Sequence, residues 1–260
     1  MTAQSVSPAV QWRQWRHSRT AEFADPYGWL SLVALDWLGA EPVPVTGAAG
    51  RWWVDAEGFH VDVSGDAGLL VDGCPVRGRR LVWDAAGEAP TVTAGERRLE
   101  LLVRGLLRGV RVRDPQASGL RAFAGVPAFD YDPAWRITAS WTPYETAQQI
   151  NVAAVVPGLR HPQSVVGEVA FELGGRTHVL KVNEGDWIAF RDASNGVDTT
   201  RHCRWVDVAV ASDGTAVVDF NFAANPPCAF TDFGTCPLPP EGNDLEVAVL
   251  AGERDPRPGH

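Results

Sequence analysis

Val165-Val166-Gly167-Glu168-Val169-Ala170-Phe171-Glu172-Leu173, followed by Gly174-Gly175 and then Thr177-His178-Val179-Leu180-Lys181-Val182, decides how this chain folds. β-Branched and aromatic residues fill both runs, and the glycine pair between them supplies the positive φ angles of a tight hairpin turn. The pattern extends in both directions. Phe59, Val61 and Val63 alternate with His60 and Asp62, as in a sheet with one wet face. Ser212-Asp213-Gly214 marks another hairpin. Strands are expected over residues 51–54, 59–63, 81–83, 99–103, 109–113, 136–141, 149–155, 165–173, 177–182, 187–191, 204–210, 216–221 and 245–250. So many antiparallel strands need closure or a second layer to hide their edges. The expected fold class is all-β and mainly antiparallel, a barrel or barrel-like sandwich.

Ahead of Gly39 the period changes. Trp12, Trp15, Phe23, Trp29, Leu32, Val33 and Leu35 recur at three- and four-residue spacings, interrupted by Asp25-Pro26, which predicts two short helices. The expected partition is therefore an N-terminal helical arm over residues 1–40 and a single β domain over residues 41–260. Eleven tryptophans suit the core under this arm or a pocket wall. Of the adjacent Trp52 and Trp53, one should be exposed or covered by the arm.

Composition narrows the function. At 260 residues with 45% hydrophobic and 21% charged residues the chain has an ordinary globular make-up, which rules out a disordered tail. Lys and Arg total 23 against 32 Asp and Glu, a formal charge of −9, so no fold-wide basic footprint for nucleic acid exists. No run approaches the roughly 20 apolar residues of a membrane span, and Met1 to Gln11 lacks the layout of a secretion signal. A cytoplasmic protein with neither nucleic acid nor membrane as partner is expected. Four cysteines are too few for a disulfide scaffold, and Lys181, the only lysine, lies in no Schiff-base motif. Phosphate loop, dinucleotide fingerprint, His-Glu-x-x-His and Gly-x-Ser-x-Gly elbow are all missing, which disfavours ATP, NAD and serine-hydrolase chemistry. No cofactor and no metal are expected.

The least regular segment runs from Asp219-Phe220-Asn221-Phe222-Ala223-Ala224-Asn225-Pro226-Pro227-Cys228-Ala229-Phe230 through Cys236-Pro237-Leu238-Pro239-Pro240 to Asn243. Paired prolines exclude helix and central strand, while phenylalanines anchor the segment. A packed, rigid loop follows, and such loops on β scaffolds commonly carry ligand-binding groups.

These stretches, together with Ala251-Gly252-Glu253, resemble the C-terminal signature of domain-of-unknown-function family 1684. Gly28-Trp29-Leu30-Ser31-Leu32, Arg111-Val112-Arg113-Asp114, Phe123-Ala124-Gly125, and Asp192 with Gly196 extend the resemblance along nearly the whole chain. It implies a largely β, soluble domain and no assigned function. Phe222 and Ala224 stand where the family usually has arginine and tyrosine, and His202-Cys203 follow where a second tyrosine is usual. If these positions line a cavity, it is roomier and less polar than in other members.

The function expected first is an enzyme acting on a small, fairly apolar organic molecule by cofactor-independent acid–base chemistry. Asp219, Glu253 and His202 would move protons, histidine being the side chain that titrates near neutrality. Asn221, Phe222, Asn225, Cys228, Asn243 and Arg204 would contact the substrate. Arg111, Arg113, Asp114 and Asp192 could add an anion site or merely brace the sheet. The alternative is a small-molecule-binding β module without catalysis. A third reading is a metal or thiol-redox protein using Cys228 and Cys236, although their spacing is not the short Cys-x-x-Cys of known sites. His178 is read as a hydrogen-bonded structural histidine, and His17, His161 and His260 as ordinary polar residues.

Overall fold

Gly174 and Gly175 adopt φ angles of +62° and +75° and join the antiparallel strands Arg160–Leu173 and Arg176–Asn183, with Leu173 opposite Arg176. The computed structural model describes residues 7–257, so His260 and the first six residues of the Met1–Gln11 stretch lie outside the described residues. The protein is mostly β, with antiparallel pairing in all but one of the strand pairs, and has one N-terminal helix of several turns, Pro8–Phe23. It divides into two compact units, residues 1–21 with 125–260 and residues 22–124, where the sequence pointed to an arm and one β domain.

In the first unit seven strands follow the order Arg176–Asn183, Arg160–Leu173, Arg136–Ala153, Thr215–Asp219, Arg204–Val210, Trp187–Asp192 and Asp244–Leu245. A further pairing, Asn183 with Trp187, brings the first strand beside the sixth, which makes the sheet barrel-like. Val169, Leu180, Val182, Ile188, Phe190, Val206 and Val218, from its strands, form its core together with Phe220 from the turn that follows Thr215–Asp219.

The second unit holds a six-stranded sheet, from Leu32–Trp37 through Leu107–Arg113 and Arg97–Arg104 to Cys74–Pro75, and a four-stranded sheet built on Arg51–Asp55 and Gly58–Val63. Its core gathers Trp52, Phe59, Val61, Leu69, Leu99 and Val110. The second helix expected before Gly39 is not formed. Only Trp29–Ser31 makes a 3-10 turn, and Leu32–Trp37 is a strand paired with Leu107–Arg113. Cross-strand pairing overrides a local spacing that fits a helix. Trp52 and Trp53 are both buried, where one of the two was expected to be exposed or covered by the arm; Trp53 lies against the ring of His60 stacked at 5.1 Å and the guanidinium of Arg79 at 4.7 Å.

Candidate functional site

The proline-rich loop folds as two 3-10 turns, Phe220–Phe222 and Pro227–Ala229, and its polar residues turn toward backbone. Asp219 caps the first turn, accepting from the Asn221 N–H at 3.2 Å and from Asn221 Nδ2 at 2.8 Å. Asn221 in turn clamps Asp132: its Oδ1 accepts the backbone N–H at 2.9 Å and its Nδ2 donates to the carbonyl at 2.8 Å. Asn243 does the same to Lys181, at 2.8 and 2.9 Å, and also donates to the Ala189 carbonyl at 2.9 Å. A carboxamide presents one donor and one acceptor in the geometry of a peptide group, so it can replace a missing strand partner.

Glu253, buried, accepts Arg19 Nε at 2.7 Å and the Asn225 N–H at 2.6 Å. Asn225 Nδ2 donates to the Arg254 carbonyl at 2.7 Å, while its Oδ1 is buried without a hydrogen-bond partner. Arg204 is buried too. Its guanidinium donates to Asp192 at 2.8 Å and to the carbonyls of Val249 at 2.8 Å and Ala251 at 2.5 Å. Asp192 also accepts from Ser194 and from the Val249 N–H. Burial lowers the Arg204 pKa and the adjacent Asp192 charge opposes that fall. Phe222 packs edge-on against Trp15 with ring centres 5.3 Å apart.

Arg111, Arg113 and Asp114 belong to the other unit and are accounted for within it. Glu100 accepts from Arg111 at 3.2 Å and from Arg113 at 2.7 Å, Arg113 also donates to the carbonyls of Tyr27 and Gly28, and Asp114 accepts Arg97 Nε at 2.8 Å. These contacts make them braces of the Leu107–Arg113 strand and its neighbours. His178 bonds the Leu173 carbonyl at 3.1 Å across its own hairpin.

His202 and Cys228 differ from the rest, because both line a groove of about 340 Å³ in the first unit. Val155, Val156 and Pro157 form its apolar wall, and Arg201, Asp232 and Arg257 add charge. Arg201 Nε donates to His202 Nε2 at 3.2 Å, which leaves the proton of a neutral ring on Nδ1. Burial lowers the His202 pKa below its ordinary value of 6.5, and the positive charges of Arg201, Arg191 and Arg257 add to the fall. Sequence reasoning missed Val155, Val156, Pro157 and Arg257. The turn dipeptide Pro157-Gly158 directly after two valines was the available signal.

The neighbouring Cys236 thiol and burial together raise the Cys228 pKa. Cys203 is fully buried and its pKa is pushed up to about 12, chiefly by burial. All four cysteines are thiols.

A family model described as a protein of unknown function, DUF1684, matches residues 121–254. Gly28–Leu32 and Arg111–Asp114, which also carried the resemblance, precede that match. No curated protein matches the chain. Among solved structures it is similar to an uncharacterized protein of Haloarcula marismortui determined by NMR in solution. The identity is 32% over 52% of this chain and 78% of that one, with a TM-score of 0.44.

Proposed function

The chain belongs to the DUF1684 family, whose function is unassigned, and from that premise we propose that it binds a small organic molecule in the groove beside His202. One observation carries this reading: a concave space of about 340 Å³ has an apolar wall at Val155, Val156 and Pro157 and hydrogen-bonding side chains at Arg201 and His202. That volume and mixture match ordinary ligand pockets, which run from about 300 to 1,000 Å³. The occupant has an apolar body and an anionic or accepting head, since guanidinium groups and the Nδ1–H of a neutral imidazole are donors.

Binding is favoured over acid–base catalysis because Asp219 and Glu253 are occupied as a helix cap and an arginine partner. Catalysis would rest on His202 alone of the three expected proton carriers. The proposal has neither nucleic acid nor membrane as partner and places the protein in the cytoplasm. Among the described residues, no helix is long and apolar enough to cross a membrane.

The test is native mass spectrometry of the purified protein, followed by a thermal-shift screen of small carboxylates and neutral analogues. Binders should lose about tenfold or more in affinity on Arg201→Ala, the size of a lost charge-assisted contact, and should be excluded by Val155→Trp. Affinities unchanged in both variants would overturn the proposal.

A further inference from the structure

Trp53-Val54-Asp55-Ala56-Glu57-Gly58-Phe59-His60 forms a hairpin in the second unit, with Asp55 opposite Gly58 and Trp53 opposite His60. Side chains alternate along a strand and cross-strand partners share a face, so Trp53, Asp55 and His60 stand on one side of it. The turn draws their polar atoms together. Asp55 Oδ1 accepts the Glu57 N–H at 2.9 Å and lies 2.8 Å from His60 Nε2. One possible ligand atom each from Asp55, Glu57 and His60 lies within 4.8 Å of the other two. The His60 side chain is only 5% exposed, yet its Nε2 faces a carboxylate that is 37% exposed. Its ring is held within 6° of parallel to Trp53 at 5.1 Å, and the Arg79 guanidinium lies over Trp53 at 4.7 Å. The imidazole is therefore oriented before any ligand arrives. Among the described residues no lysine or arginine pairs with Asp55 or Glu57, and the exposed Glu57 carboxylate has no hydrogen-bond partner.

We propose that Asp55, Glu57 and His60 bind one divalent transition-metal ion of the zinc type at the tip of this hairpin. Two carboxylates gathered without a guanidinium leave two negative charges that such an ion neutralises, and the buried imidazole selects its class. One nitrogen and two oxygens suit Zn²⁺, whereas Ca²⁺ and Mg²⁺ take oxygen ligands. A tetrahedral zinc with bonds of about 2.0–2.1 Å holds its ligand atoms about 3.3 Å apart. The 2.8 Å contact between His60 and Asp55 therefore opens slightly, and the exposed Glu57 side chain swings in to close the third side. A proton on Nε2 moves to Nδ1 or to solvent as the ion takes its place. Three protein ligands leave the fourth position to water. None of these residues lines the groove beside His202, so the site stands apart from the ligand proposed there.

The experiment uses the full chain, free of any tag and carrying Cys74→Ser, because the exposed Cys74 thiol is a zinc ligand in its own right. Calorimetric titration with Zn²⁺ alone should show one ion per chain. Asp55→Asn and Glu57→Gln should each weaken binding about tenfold or more, at least the loss that follows from disturbing a ligand's support. His60→Gln should abolish it. That variant also loses the stack on Trp53, so circular dichroism and the Tm establish whether it folds. Glu57→Gln keeps the test decisive if it does not, since an exposed side chain bonded to nothing in the protein can change without moving the metal-free Tm. Co²⁺ in place of Zn²⁺ should broaden the amide resonances of residues 54–60 before any others. No Zn²⁺ binding, an unchanged affinity in either Asp55→Asn or Glu57→Gln, or Co²⁺ broadening centred elsewhere would overturn the proposal.

Discussion

Arg204 and Asp192 form an ion pair at 2.8 Å with both side chains at 0% exposure, the most deeply placed charges of the first unit. Two strands, Arg204–Val210 and Trp187–Asp192, supply them, and the guanidinium also gathers the carbonyls of the segment after Asp244–Leu245. Arg204→Ala removes the charge partner of Asp192 and leaves the Val249 and Ala251 carbonyls short of a donor. Breaking one half of a buried pair costs about 3–5 kcal/mol. Denaturant unfolding should show a lower midpoint at unchanged slope.

Asn243→Ala is the companion test on neutral groups. It leaves the Lys181 N–H and two carbonyls, of Lys181 and Ala189, without the side chain that now pairs with them. A buried polar group left unsatisfied costs about 1–3 kcal/mol, so a loss of at least ~2 kcal/mol is expected. Hydrogen exchange at Lys181 should accelerate with it.

Glu253→Gln keeps the shape of the side chain but removes the charge facing Arg19. A loss of about 1.5–3 kcal/mol, the worth of a hydrogen bond to a charged group, is expected. Because Arg19 lies in the helix Pro8–Phe23, amide exchange in that helix should speed up more than in the strand Arg160–Leu173.

His202 predicts a pH dependence whose sign follows from its lowered pKa. The folded protein holds the ring neutral below pH 6.5, where the unfolded chain binds a proton, so protonation favours unfolding. The stabilising contribution is full above the unfolded pKa of about 6.5 and is lost as pH falls from there toward the folded pKa. The Tm should decline between pH 7 and pH 5, and His202→Gln should flatten that decline. An equal slope in both proteins would remove His202 as the cause.

The strands were legible where side-chain period and turn chemistry agreed. Residues 165–173 and 177–182 lie within Arg160–Leu173 and Arg176–Asn183, since β-branched runs flank a turn that glycine alone adopts without strain. Residues 245–250 reduce to Asp244–Leu245, because the carbonyls further on are taken by Arg204 instead of a strand. Leu32–Trp37 read as helix because Leu32, Val33 and Leu35 fit that spacing, and a partner strand more than 70 residues away in sequence decided otherwise. The candidate site was half legible. The sequence singled out Asn221, Asn225 and Asn243 as substrate contacts in the proline-rich loop and Glu253 beyond it as a proton carrier, yet the same amide or carboxylate can face a ligand or the protein itself. Long-range packing, invisible in one sequence, turned them to the backbone.

The contact between Arg19 and Glu253 joins positions 234 residues apart. On a ribosome adding about 5–20 residues per second, the helix bearing Arg19 is made roughly 10–50 s before its carboxylate exists. The earliest-born segment of the first unit is therefore among the last to be seated, and until then its docking surface is open to chaperones and to neighbouring nascent chains.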